Sequence, residues 1–274
     1  MGLNEILLGG RKIAYRTAGQ GRPVVLLHGG AEDGRAWRLQ VEGLADEFEV
    51  IAWDAPGCGA SSDVPETWRL PDYADALAGF LGALGVDRPH LVGLSWGSTL
   101  ALEFDRRHPG VAVSLVLAGT YAGWAGSLPP GEVEARLRDV LAAATLPRDR
   151  VLEGLPGMLE GPVPEELAME MAQIWADNMG GRLPGGYRAM AHAMAEADLR
   201  PVLPGIAVPT LLLHGELDRR SPVAGAHELH ARIPMSRLVV VAGVGHLVSV
   251  EAPHEFNAQV RRFLQSVDGS APSS

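Results

Sequence analysis

Pro89-His90-Leu91-Val92-Gly93-Leu94-Ser95-Trp96-Gly97-Ser98-Thr99-Leu100-Ala101-Leu102 joins an apolar run directly to a helix-forming run that continues to Arg107. Only Gly93-x-Ser95-x-Gly97 stands between the two. A strand that turns into a helix within one residue strains the backbone of that residue, and side chains two positions to either side would collide across the turn. Gly93 and Gly97 remove those side chains. The spacing predicts a strand, a sharp turn and a helix, with the Ser95 hydroxyl held out at the carboxyl end of a sheet. The Trp96 N–H, at the helix N-terminus, points into the same space.

Outward from this turn, apolar runs and helical patterns alternate. Glu5 to Leu8 and Lys12 to Thr17, separated by Gly9-Gly10, read as an edge hairpin. Pro23 to His28 and Glu49 to Trp53 are continuous apolar runs of the kind buried on both faces of a sheet. A helix is expected over Trp37 to Phe48, and another over Leu70 to Leu84, with Pro71 near its start and Gly85 just past its end. Val111 to Ala118 gives the next strand. Such alternation argues for a parallel sheet with helices on both faces. From Tyr121 to about Leu203 it stops, and helix formers are broken by Pro129-Pro130, Pro156, Pro162, Pro164, Pro184 and Gly180-Gly181. This stretch holds six of the eight methionines, including Met158 and Met179. The expected organisation is a core of residues 1–120 and 204–274 with a helical cap over 121–203. Strands return at Val208 to His214 and Arg237 to Ala242, with a helix between them over Val223 to Ile233. A closing helix runs from Pro253 to Leu264, and the tail from Val267 onward reads as frayed.

Composition narrows the partners. The chain has 274 residues, 47% of them hydrophobic, and a formal net charge of −10. That length and apolar fraction suit one large core with an insertion. The acidic balance disfavours nucleic acid and anionic membrane surfaces, which leaves a small-molecule partner. Cys58 is the single cysteine, so no internal disulfide and no cysteine-based zinc site can form. Met1 to Gly10 has no signal-peptide pattern and no apolar run reaches the ~18 residues of a membrane span, so the cytoplasm is the default location.

In such sheets ligands sit beyond the carboxyl ends of the strands. Four loops carrying polar groups fall there. His28-Gly29-Gly30 follows one central strand, and the Gly30 N–H is placed to join that of Trp96 around a developing oxyanion, with Ala31 as the fallback. Gly215-Glu216-Leu217-Asp218 follows another strand, and Gly243-Val244-Gly245-His246 follows the last. A serine hydroxyl is a poor nucleophile until a base takes its proton, and imidazole serves best when a carboxylate fixes its tautomer. His246 is the only one of nine histidines on a glycine-rich loop after a late strand. Either Glu216 or Asp218 could be its carboxylate. Asp54, Ser61 and Cys58 read as structural. Within the expected cap, Trp124, Trp175, Met179 and Tyr187 are candidates to line an apolar pocket.

These residues taken together resemble the α/β-hydrolase superfamily along nearly the whole chain: His28-Gly29-Gly30, Asp54-x-x-Gly57-x-Gly59-x-Ser61, Gly93-x-Ser95-x-Gly97, His214-Gly215-x-x-Asp218 and Gly245-His246. The resemblance implies an α/β-hydrolase fold with Ser95 as nucleophile, Asp218 as acid, His246 as base, and Gly30 with Trp96 as oxyanion donors. It implies no metal and no organic cofactor. Serine rather than aspartate at the turn implies acyl transfer. Ser95 to Leu102 is similar to proline iminopeptidases, although the loop His28-Gly29-Gly30-Ala31 lacks the proline that family carries there.

The expected activity is hydrolysis of small apolar carboxylic esters or lactones. A proline-releasing aminopeptidase is the first alternative, with Glu132, Glu134, Glu165, Glu166 and Glu170 available to hold an ammonium group. A ligand receptor without hydrolytic activity is the second.

Overall fold

The computed structural model describes residues 2–154, 159–179 and 184–269. Eight strands form one sheet in the order β1-β2-β4-β3-β5-β6-β7-β8. They are β1 (Leu3–Leu8), β2 (Arg11–Ala18), β3 (Pro23–Leu27), β4 (Glu49–Trp53), β5 (His90–Leu94), β6 (Ser114–Ala118), β7 (Thr210–Gly215) and β8 (Ser236–Val241). The β1–β2 hairpin pairs antiparallel, β2 pairs antiparallel with β4, and every other pairing is parallel. Gly9 and Gly10 both have positive φ at the hairpin turn, which explains the glycine pair there.

Strand residues alternate strictly between two cores. Val25, Leu27, Leu91, Leu115, Leu117 and Leu212 pack on one face with the helices α2 (Leu70–Leu84) and α3 (Trp96–Arg107). Val24, Leu26, Val92, Val116, Leu211 and Leu213 pack on the other with α1 (Arg38–Leu44) and the closing helix α10 (Pro253–Asp268). Burial on both faces is what makes the strands read as unbroken apolar runs, and each fully buried Leu or Val contributes about 1.5–3 kcal/mol.

The remaining helices are α4 (Pro130–Ala143), α5 (Arg148–Gly154), α6 (Glu165–Met179), α7 (Pro184–Glu196), α8 (Val223–Arg232) and a single turn, α9 (Val248–Glu251). Four of them, α4 to α7, lie between β6 and β7, where the alternation of strand and helix stops in the sequence. Met158, Pro156 and Gly180-Gly181 lie outside the described residues.

Three boundaries depart from expectation by three residues or more. The helix expected over Trp37 to Phe48 is a 3₁₀ turn, Gly34–Trp37, followed by the short α1. The Asp33 carboxylate accepts from the Arg35 N–H and opens that turn early, and the helix stops at Leu44. Strand β6 begins at Ser114 because Val111 is exposed and belongs to the turn after α3. The frayed tail begins later than expected. Helix α10 runs through Val267 and Asp268, and Asp268 forms an ion pair with Arg22 at 2.9 Å.

The topology fixes where a site can form. After β3 the chain passes to β4 on one side, and β5 returns to the other side of β3. This reversal opens a crevice at the carboxyl ends of β3 and β5. Gly29-Gly30 and Ser95 follow those two ends.

Candidate active site

Ser95 has φ 52° and ψ −110°, a conformation that strains any residue with a side chain. Packing on both sides holds it there. A Cβ on Gly93 would lie 2.5 Å from the Gly97 backbone, and one on Gly97 would lie 2.0 Å from the Leu27 carbonyl oxygen. Both glycines are therefore required by close backbone approach. The Ser95 N–H donates to the Ala118 carbonyl at 2.8 Å, and the Ser98 hydroxyl lies 2.7 Å from the Gly93 oxygen and 3.0 Å from the Ala118 oxygen. The Ser95 side chain is partly exposed, and its hydroxyl has no hydrogen-bond partner among the described residues.

The β3 loop is the second strained element. Ala31 has φ 60°, so Ala31 and Ser95 are two of the three non-glycine residues with positive φ among the described residues. Each such residue costs of order 1–3 kcal/mol, and such strain clusters at functional sites. His28 positions the loop. Its Nδ1–H donates to the Gly29 oxygen at 2.8 Å and its Nε2 accepts from the Ala55 N–H at 3.1 Å. Burial keeps this imidazole neutral, with its pKa below the usual histidine range. Gly30 faces open space, with nothing within 4 Å of where a Cβ would stand. Neither the Gly30 nor the Trp96 N–H has a hydrogen-bond partner among the described residues. The Trp96 side chain turns the other way, stacked on His28 with ring centres 5.8 Å apart and edge-on to Tyr73 at 5.0 Å.

Asp218 and His246 meet across the loops after β7 and β8. His246 Nδ1–H donates to Asp218 Oδ2 at 2.9 Å, and both side chains are buried. The Asp218 carboxylate takes three more donors: the Arg220 N–H (2.9 Å) and Ser221 N–H (2.8 Å) on Oδ1, and the Ser221 hydroxyl (2.7 Å) on Oδ2. Burial pushes its pKa up, but the hydrogen bonds from His246 and Ser221 outweigh that and hold the carboxyl below its usual range. With Nδ1 on the carboxylate, Nε2 is the basic nitrogen of His246, and it has no partner among the described residues. The ring lies against Gly119, immediately after the residue whose carbonyl holds the Ser95 N–H: a Cβ on Gly119 would be 3.1 Å from His246 Cε1. Glu216, the sequence rival of Asp218, is exposed and accepts from the Gly243 N–H at 2.9 Å.

Four side chains outside the expected triad belong to this region. Ser221 is one, through its hydroxyl on Asp218. His214 is buried with Nε2 2.6 Å from the Ser221 carbonyl oxygen and 3.4 Å from Asp218 Oδ2, and burial lowers its pKa. Glu160 accepts from the His246 N–H at 3.1 Å. Glu32, on the β3 loop, is fully buried; its Oε2 accepts from the Gly29 N–H at 2.8 Å and its Oε1 from the Trp175 indole at 3.3 Å. Burial raises the Glu32 pKa to about 7. The spacing His214-Gly215-x-x-Asp218 was a visible signal for His214 only.

Of the pocket candidates, Trp175 on α6 reaches the β3 loop through Glu32, and Tyr187 on α7 and Met179 pack in the same core. Burial raises the Tyr187 hydroxyl to about 12. Trp124 packs on the opposite core, its N–H donating to the Met194 carbonyl. Asp54, Ser61 and Cys58 are structural: buried Asp54 holds Arg16 and the Gly34 and Ala60 N–H groups, Ser61 bonds backbone at Asp54 and Ala14, and Cys58 is buried with its thiol pKa raised by burial. Among the described residues no cluster of three His, Cys, Asp or Glu side chains has the arrangement of a metal site, and no helix is long and apolar enough to cross a membrane.

A model of the alpha/beta hydrolase family matches residues 24–259, spanning all four loops just described. The chain belongs to the alpha/beta hydrolase family. Among proteins it resembles, a 2-hydroxy-6-oxononadienedioate/2-hydroxy-6-oxononatrienedioate hydrolase of Burkholderia vietnamiensis is 31% identical, covering 93% of this chain and 91% of its own. A solved esterase from Thermogutta terrifontis, with malate bound, superposes with a TM-score of 0.83 at 30% identity, covering 97% of this chain and 99% of that one. An Exiguobacterium antarcticum esterase gives 0.82 at 27% identity, covering 97% and 100%. These alpha/beta hydrolase relatives share the fold from end to end.

Proposed function

We propose that this alpha/beta hydrolase cleaves small, apolar carboxylic esters or lactones through a Ser95–His246–Asp218 triad and an acyl-enzyme. The observation that carries this reading is the Asp218-bound imidazole of His246, with its basic nitrogen free, lying against Gly119 beside the strained turn of Ser95. No other described histidine combines a buried carboxylate on one nitrogen with an unengaged second nitrogen next to a nucleophile.

The steps follow from those positions. Ser95 Oγ adds to the substrate carbonyl carbon while His246 Nε2 takes its proton, and Asp218 stabilises the imidazolium. The N–H groups of Gly30 and Trp96 receive the oxyanion. His246 then gives the proton to the leaving alkoxide, the alcohol departs, and the acyl group remains on Ser95. Water, deprotonated by His246, releases the carboxylic acid and restores the serine. The Ser95 hydroxyl is unbonded in the free protein, and catalytic hydrogen bonds of this type tighten when substrate occupies the site.

Helices α4 to α7 act as the cap in this reading. Trp175, Met179 and Tyr187, which share one core, form the apolar wall for the acyl group, and Trp124, packed on the opposite core, stands apart from it. The aminopeptidase alternative requires carboxylates free to bind an ammonium. Glu132 is engaged by Arg136 and Glu170 by Arg38, whereas Glu134, Glu165 and Glu166 are exposed. The apolar side chains of Trp175, Met179 and Tyr187 favour an uncharged ester.

The test is hydrolysis of p-nitrophenyl butyrate by wild type and Ser95→Ala, with fluorophosphonate labelling of both. Wild type should turn over and label, and Ser95→Ala should do neither. Undiminished hydrolysis by Ser95→Ala would overturn the assignment.

A further inference from the structure

Behind the Asp218 loop lies a cavity of about 300 Å³, bounded by the chain after β6, the start of α4, the segment before β7 and one face of α8 along its whole length. Tyr121 and Ser221 line it, whereas Ser95, Gly30 and His246 do not. It is therefore a different space from the one in which a substrate carbonyl would meet the nucleophile, separated from it by the loop that carries the acid.

Its charge is opposite to that of the chain. Four arginines line it, Arg136, Arg200, Arg219 and Arg232, against two carboxylates, Glu132 and Glu228, so the wall carries a formal +2 on a protein of net charge −10. Two of these cations are fixed by the protein. Arg136 bonds Glu132 (2.9 Å), the Arg220 carbonyl oxygen (2.9 Å) and the Tyr121 hydroxyl (3.1 Å), and Arg200 bonds Asp198. The other two are not. The guanidinium groups of Arg219 and Arg232 have no hydrogen bond or ion pair among the described residues, and Arg232 meets Asp198 only through longer-range attraction. Arginine offers a fork of donors that matches carboxylate and phosphate oxygens, so unengaged guanidinium groups around a cavity suit an anionic head. The wall also includes apolar side chains that keep accessible surface: Leu128, partly exposed, and Pro129 and Pro222, both exposed.

We propose that this cavity binds a small organic anion, its hydrocarbon part on Leu128, Pro129 and Pro222 and its carboxylate or phosphate head facing Arg219 and Arg232. Its occupant sits one residue from the catalytic side, because the Ser221 that lines the cavity also donates its hydroxyl to Asp218. That places the cavity directly behind the Asp218 carboxylate.

Isothermal titration calorimetry with hexanoate, hexyl phosphate and inorganic phosphate tests this, and the readout does not depend on the protein being an esterase. Hexanoate or hexyl phosphate should bind saturably with a Kd at or below about the millimolar range, and inorganic phosphate more weakly. Arg232→Gln, at an exposed position, should weaken binding about tenfold or more, and so should Ala224→Phe, which fills the cavity. Ser95→Ala should bind like wild type. The proposal is overturned by absence of saturable binding of both hexyl ligands, by unchanged affinity in Arg232→Gln, or by loss of binding in Ser95→Ala. Equal affinity for inorganic phosphate and hexyl phosphate would overturn the assignment of an organic anion.

Discussion

His246 and Gly119 are packed against each other: a Cβ on Gly119 would stand 3.1 and 3.2 Å from the imidazole Cε1 and Nδ1, closer than ordinary contact. Gly119 also has φ 51°, so two separate demands exclude other residues. Gly119→Ala should displace the imidazole by a few tenths of an ångström or more and cost about 1–2 kcal/mol of stability for the left-handed backbone. Hydrolysis should fall about 100-fold, out of proportion to the stability loss, because small misplacements of a base are costly. Comparing kcat/KM with the unfolding midpoint in urea checks both halves.

Asp218→Asn keeps the size of the side chain but can no longer accept four donors as a carboxylate. The neutral amide also permits the wrong imidazole tautomer. Turnover of p-nitrophenyl butyrate should fall about 10³–10⁴-fold with an unchanged circular dichroism spectrum. Activity within tenfold of wild type would remove Asp218 from the mechanism.

In the proposed triad Ser221 has the part of a positioning residue, acting through Asp218. Ser221→Ala removes the 2.7 Å hydroxyl donor from Oδ2 while leaving the backbone N–H on Oδ1. A lost hydrogen bond to a charged group is worth about 1.5–3 kcal/mol, so a drop of about tenfold or more in kcat with little change in KM is expected. The Asp218 carboxylate should become more basic, which moves the acid limb of the kcat/KM profile to higher pH. A structural role alone would leave that limb in place.

Glu32 ties stability to pH with an unusual sign. Burial raises its folded pKa from the ordinary 4.5 to about 7. Between those values the folded chain holds a proton that the unfolded chain has released, so this residue's contribution declines as pH rises from about 4.5 to 7 and is flat above. The full separation corresponds to about 3 kcal/mol. Glu32→Gln, neutral at every pH, should therefore gain on wild type through that window when unfolding is followed at pH 5, 6, 7 and 8. A difference independent of pH would show that Glu32 is ionised in the folded protein.

Gly97→Ala tests the turn itself. Its Cβ would sit 2.0 Å from the Leu27 carbonyl oxygen, which is backbone of a central strand and has no room to give. A loss of about 3 kcal/mol or more in urea unfolding is expected, or failure to accumulate folded protein.

The serine turn was legible in the sequence because its causes are local. Gly93 and Gly97 stand two residues from Ser95, and the alternation of strands follows from burial on both sheet faces. The position of Asp218 was less so, since Glu216 lies two residues away and only the pairing of β7 with β8 brings one of them to His246. Glu32 and Trp175 were not legible as a pair. They are distant in sequence, and a glutamate in a glycine-rich loop reads as a solvated turn residue until the fold buries it. The same holds for Ser221, which becomes a carboxylate ligand only because the loop after β7 folds back on Asp218.

The excursion that carries α4 to α7 leaves the sheet from β6 and re-enters at β7, and these two strands are direct neighbours, with Leu117 opposite Leu212. Neighbouring strands stand about 4.8 Å apart, so the two roots of the excursion are pinned side by side whatever lies between them. That whole stretch can therefore be lengthened, trimmed or exchanged like a cassette while the eight-stranded frame and the loops that carry Ser95, Asp218 and His246 stay in register.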